Sequence, residues 1–110
     1  MKKRKLTIKI NSTYKYLQIW NGIFNLTSRE LEILSIFVDL HAISPEENLG
    51  SMLNKKIVAE KLSIKDPNTL NNYIKKFKDK GAVLLKDNKY TLNTLLDPNT
   101  DMVEINITNQ

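Results

Sequence analysis

The chain has 110 residues, 41% hydrophobic and 26% charged, with 17 Lys and Arg against 12 Asp and Glu for a net charge of +5. These are ordinary values for a globular domain, and the length supports one modest core rather than a full barrel or a two-lobed enzyme. With no Cys and one His, disulfides, zinc–thiolate sites, iron–sulfur clusters and thiol catalysis are excluded, and little remains for an imidazole base.

The positive charge is unevenly placed. Residues 1–11 carry Lys2, Lys3, Arg4, Lys5 and Lys9 with no acid among them. Residues 27–51 set Arg29 against Glu30, Glu32, Asp39, Glu46 and Glu47, and residues 54–80 set eight Lys against Glu60, Asp66 and Asp79. Two basic regions therefore flank an acidic one, a pattern that favours a polyanion or an acidic protein as partner. Arg occurs only twice, as Arg4 and Arg29. Lys meets phosphate as a point charge, whereas bidentate reading of guanine normally uses Arg, so strong G·C readout is not expected.

Met1-Lys2-Lys3-Arg4-Lys5 has the charge of a secretory leader. It is followed by Leu6-Thr7-Ile8-Lys9-Ile10-Asn11, which alternates and supplies no apolar stretch of roughly 7–15 residues. No run approaches the roughly 20 apolar residues that cross a bilayer. The expectation is a cytoplasmic protein, or one inside a virus particle assembled there, with no membrane partner.

In chain order, Leu6, Ile8 and Ile10 follow the period of a half-buried strand. In residues 14–24, Leu17, Trp20 and Phe24 sit at helical spacing, while Asn21-Gly22 suits either a helix cap or a hairpin turn; the spacing favours a short helix. Thr27-Ser28-Arg29-Glu30 is a capping box, with Leu26 and Leu31 at the positions of a hydrophobic staple. It predicts a helix from about Ser28 to His41. Leu31, Leu34, Phe37, Val38 and His41 line one side of that helix, and Ile33, Ile36 and Leu40 form a second apolar stripe. Ser44-Pro45-Glu46-Glu47 predicts a single helical turn. Asn54 is the expected cap of a helix running to Leu62, with Ile57, Val58, Ala59 and Leu62 inward. A further helix is expected over 68–80, burying Leu70, Tyr73, Ile74 and Phe77 and ending at Gly81. Two short strands around Asp87-Asn88 form a hairpin, and Val103, Ile105 and Ile107 suggest a last strand within 102–108 that pairs with the first.

Helix, helix, short turn, helix, hairpin is the order of a winged helix-turn-helix, and particular residues carry the resemblance. Leu26-Thr27-Ser28-Arg29-Glu30-Leu31-Glu32-Ile33-Leu34 resembles the LT-x-RE-x-E-x-L opening of LuxR-type regulators. Ile57-Val58-Ala59-Glu60-Lys61-Leu62-Ser63-Ile64 resembles a helix-turn segment with a small Ala facing the third helix. Lys78-Asp79-Lys80-Gly81-Ala82-Val83 is similar to the bridge into the wing of MarR-like and GntR-like domains. The resemblance spans residues 26–93. It departs from those families in the insertion at 42–51, in Asp66-Pro67 within the turn, and in a short wing tip without Arg. It implies an α+β winged-helix core over 26–93. With the terminal strands read from their alternation and no repeat or low-complexity linker, the expectation is one domain over 1–110, with an N-terminal basic arm and strand at 1–11, a C-terminal strand at 102–108, and phage as one source.

The function this implies is duplex DNA binding, as a transcription regulator or as a replication or packaging accessory. The helix at 68–80 would enter the major groove with Asn68, Thr69, Asn71, Asn72, Lys75 and Lys76, preceded by Lys65. Asn pairs with adenine and Thr meets the thymine methyl. Lys55, Lys56 and Lys89 would hold phosphates, and Lys2, Lys3, Arg4 and Lys5 would follow the minor groove as an arm. The rival expectation is a non-enzymatic assembly module, such as a phage virion or packaging component, whose basic surfaces meet acidic protein in a homo-oligomer. Trp20, Tyr73, Phe77, Phe24 and Phe37 fall at core spacing, Tyr14 and Tyr16 read as a half-buried pair, and His41 as a helix-end residue. No catalytic residue, metal or cofactor is expected. Asp97, Asp101 and Glu104 lack calcium-loop spacing, Ser28 and Ser63 lack a neighbouring His, and the three Gly form no phosphate loop.

Overall fold

A computed structural model describes the backbone of residues 2–97 and the side chains of residues 13–97. It is α+β: four helices, α1 (Lys2–Phe24), α2 (Ser28–Ile43), α3 (Met52–Lys61) and α4 (Leu70–Asp79), and an antiparallel pair, β1 (Val83–Lys86) and β2 (Lys89–Leu92). Short 3-10 turns stand at Pro67–Thr69 and Thr94–Leu96.

The first correction concerns residues 6–10, expected as a strand but helical within α1. Leu6, Ile10 and Leu17 also fit a helical period, and no Pro or Gly interrupts the chain before Gly22. Extending an existing helix costs far less than starting an element, so the segment continues the helix that Leu17 and Phe24 anchor by burial. This also removes the expected pairing of the two terminal strands; the second of them, at 103–107, lies outside the described residues.

Thr27 caps α2 as the sequence predicts. Its hydroxyl accepts from the Glu30 amide at 3.1 Å, and the Glu30 carboxylate accepts from the Thr27 amide at 2.9 Å. Leu26 and Leu31 are both buried, which closes the staple. Along α2 Leu31, Ile33, Leu34, Phe37 and Val38 are buried, while Ile36 and Leu40 are half-buried, so both apolar stripes meet neighbouring elements. The antiparallel α1–α2 pair is tied at its open end by Thr13, whose hydroxyl donates to Asp39 at 2.7 Å.

Ser44–Glu47 forms a turn closed by the Glu47 amide on the Ser44 carbonyl, without the expected helical turn. The chain then runs along the hairpin. The Leu49 amide donates to the Tyr90 carbonyl at 2.9 Å, and the Tyr90 amide donates to Asn48 Oδ1 at 2.8 Å. Residues 48–49 thus cover the edge of β2. Gly50 is required beside them, since a Cβ there would lie 2.9 Å from Tyr90 Cδ2 and 3.3 Å from Ile74 Cδ1.

The start of α3 is a second correction. Ser51, in extended conformation, caps it by accepting from the Asn54 amide at 3.1 Å. Asn54, the expected cap, sits a turn inside and donates its side-chain amide to the Leu49 carbonyl at 3.0 Å. Asn and Ser are near-equal caps, so sequence alone does not separate them. The helix ends with Ser63 at φ +58 and the Ile64 amide on the Ala59 carbonyl.

The helix expected over 68–80 divides in two. Asp66 accepts from the Asn68 amide and Pro67 opens the 3-10 turn, so the regular helix starts at Leu70. Leu70, Ile74 and Phe77 are buried and Tyr73 is half-buried. Gly81, at φ +87, then turns the chain into β1. Asp87 (φ 50) and Asn88 (φ 65) make the two-residue hairpin turn, pairing Lys86 with Lys89 and Val83 with Leu92. Behind the hairpin Asn93 donates to the Gly81 carbonyl and accepts from the Leu95 amide. Tyr16 donates its hydroxyl to the Leu95 carbonyl, which fastens the second 3-10 turn to α1. Among the described residues no helix is long and apolar enough to cross a membrane.

Candidate nucleic-acid interface

The core sits on one side of α4, and this decides what the other side can meet. With Leu70, Ile74 and Phe77 buried, the helical period turns Asn71, Asn72, Lys75 and Lys76 outward, and all four are exposed. Asn68 and Thr69, in the preceding turn, are exposed too, and Lys65 is exposed just before it. All seven of these expected reader residues are therefore exposed, and the four on α4 lie opposite its buried side.

The neighbouring cations differ in how they are held. Lys55, half-buried on α3, places its ammonium 2.6 Å from Asn71 Oδ1, while Lys56 beside it is exposed. Lys76 lies over Tyr73, with Nζ 5.7 Å from the ring centroid. Lys80 is occupied elsewhere: it donates to Glu30 at 2.9 Å and to the Asn25 carbonyl at 3.0 Å. Lys89 is exposed at the hairpin tip, opposite the like charge of Lys86 across the Asp87-Asn88 turn. Lys2, Lys3, Arg4 and Lys5 lie in the first turn of α1, where their backbone is helical rather than an extended arm. Their side chains fall outside the described residues.

Arg29 was legible only as part of the capping segment. In the structure it is exposed at the start of α2 and donates to Glu32 at 2.9 Å, a bond that raises the guanidinium pKa above its ordinary value with a smaller contribution from Tyr73. Tyr14 is half-buried and lines a shallow depression with Ser28, Arg29 and Glu32. Tyr16 is also half-buried and meets Trp20 edge to face at 6.4 Å.

Other titratable groups have structural surroundings. Burial pushes the Glu30 carboxyl up, but the Thr27 amide and the Lys80 ammonium outweigh it and hold the group below its ordinary value. His41 is buried in the last turn of α2, with Nε2 3.7 Å from Asp97 Oδ2. Among the described residues no three His, Asp or Glu gather as metal ligands, and Asp101 and Glu104 lie outside them. The surface on and around α4 can supply amide donors and acceptors to base edges and ammonium groups to phosphates. No family model, curated protein or solved structure matches the chain.

Proposed function

We propose that the chain is a winged-helix protein that binds duplex DNA through α4 and the turn before it, in transcription regulation or as a replication or packaging accessory. The observation that carries this reading is the division of α4: Leu70, Ile74 and Phe77 are buried, while Asn71, Asn72, Lys75 and Lys76 are exposed together. A helix with short amides flanked by ammonium groups suits the major groove, roughly 12 Å wide, where amides reach base edges and cations meet phosphates. The order α2, α3, α4, hairpin supports the winged-helix pattern. The departure at 42–51 finds a reason in Asn48 and Leu49, which cover the edge of β2. Lys56, Lys65 and Lys89, all exposed, widen the cationic surface.

The test is binding of the purified protein to a mixed-sequence AT-rich duplex at about 50 and 200 mM salt. Six to ten phosphate contacts weaken binding by roughly 10³–10⁵ over that range. Absent or salt-insensitive binding sinks the proposal. A second reading, an assembly module meeting its own copies or an acidic protein surface, is favoured by one observation. Ile19 and Ile23, one turn apart on α1, are 73% and 64% exposed. A large ring without duplex binding selects that reading.

A further inference from the structure

Asn71 and Lys55 come from different helices, and their contact has a chemical consequence. A carboxamide has an acceptor end and a donor end of nearly equal size, and an exposed Asn ordinarily presents either. An ammonium has three donors and no acceptor. The group 2.6 Å from Lys55 Nζ is therefore the Asn71 oxygen, and the amide nitrogen lies on the other branch of the planar group. Lys55 is half-buried in the first turn of α3, where its backbone amide donates to the Ser51 carbonyl.

We infer that Lys55 is a specificity-determining positioning residue, holding the Asn71 carboxamide so that its two N–H donors are offered away from α3 to a base edge. The inference rests on the duplex-binding reading. The base facing Asn71 must then supply an acceptor in the major groove. Purine N7, guanine O6 and thymine O4 do so, while a cytosine edge, which offers its N4 donor, is rejected. Asn72, also exposed on α4, has no such tether among the described residues and remains able to turn either end outward. Lys55 thus differs in kind from Lys75 and Lys76, whose ammonium groups add affinity without a sequence preference.

The test starts from a preferred duplex selected by the wild-type protein from a random pool. Affinities are then measured for every single base-pair change, with wild type, Lys55→Met, Lys55→Arg and Asn71→Ala. Lys55→Met keeps the aliphatic stem and removes the ammonium; Lys55→Arg restores a donor-only cation. The expected result is that Asn71→Ala and Lys55→Met lose about tenfold discrimination against cytosine at the same base pair. Lys55→Arg retains most of it, and the double variant Lys55→Met/Asn71→Ala loses no more than Asn71→Ala alone. If Lys55→Met weakens all sequences equally and lowers the salt slope by about one, Lys55 is a phosphate contact and the inference is overturned alone. If the wild type selects no duplex, the functional proposal falls and takes this inference with it.

Discussion

Lys80, next to the C-terminal end of α4, holds its ammonium 2.9 Å from the buried carboxylate of Glu30 in the first turn of α2. The same carboxylate closes the capping box on the Thr27 amide, so one side chain both starts α2 and fastens α4 to it. The two partners are unequal in exposure, with side chains 5% accessible for Glu30 and 32% for Lys80. Removing the ammonium therefore leaves a buried carboxylate with the Thr27 amide but no opposite charge. Lys80→Met is expected to cost about 3 kcal/mol, and Glu30→Gln about 1–2 because the amide oxygen still caps Thr27. Urea unfolding of both variants and the double variant checks this; equal losses that add would show that the pair is not coupled.

The lowered Glu30 carboxyl also fixes a pH dependence. The unfolded chain holds this proton at the ordinary glutamate value, and the folded chain holds it less tightly. Ionised Glu30 therefore contributes its full stabilisation above that unfolded value. The contribution falls away as pH drops through the folded value. Melting temperature measured from pH 7 down to 3 is expected to fall less steeply for Glu30→Gln than for wild type. Parallel curves for the two proteins would contradict the assignment.

Lys75→Glu with Lys76→Glu places two acids on the exposed face of α4 while leaving Leu70, Ile74 and Phe77 untouched. The double variant is expected to keep its melting temperature within about 5 °C, since exposed substitutions usually stay within about 0.5 kcal/mol each. Its duplex affinity is expected to fall at least a hundredfold through repulsion of phosphates. Measuring both on one preparation matters. Full retention of duplex affinity in the folded variant removes α4 as the reader.

The capping box, the amphipathic α4 and the Asp87-Asn88 turn were legible because each is local: a few residues in a fixed spacing satisfy their own backbone groups. Residues 6–10 were misread for a physical reason. Leu6, Ile8 and Ile10 satisfy a period of two, but Leu6, Ile10 and Leu17 also satisfy a helical one, and only packing beyond the segment decides. The exposure of the α4 face followed from its periodicity. The Lys55–Asn71 contact joins residues 16 apart on two helices, so no local pattern announces it.

The turn gives a prediction of opposite sign to most. Asn88 sits at φ 65, where Gly carries no Cβ penalty, and its side chain is exposed. Asn88→Gly is expected to stabilise the chain by about 0.5 kcal/mol, as Asp-Gly suits this turn better than Asp-Asn. Gly81→Ala is expected to destabilise by about 1 kcal/mol. The nearest atom to its new Cβ is Phe24 Cε1 at 3.7 Å, an ordinary contact, so the cost comes from φ +87 alone. Thermal unfolding separates these two signs directly.

Asn48 links the connection between α2 and α3 to the hairpin. Its Oδ1 accepts from the Tyr90 amide at 2.8 Å and from the Gly50 amide at 3.1 Å, while the adjacent Leu49 amide reaches the Tyr90 carbonyl. Asn48→Ala removes one acceptor and strands two amide donors, so a loss of about 1–2 kcal/mol is expected. Asn48→Asp keeps the acceptor and is expected to recover most of it. Hydrogen exchange locates the effect: the Tyr90 amide is expected to lose protection first, before the amides of α2, because the hairpin is otherwise a two-stranded ribbon of limited stability. Uniform loss of protection across the chain would instead mean that residues 48–49 stabilise the whole core and do not selectively hold the edge of β2.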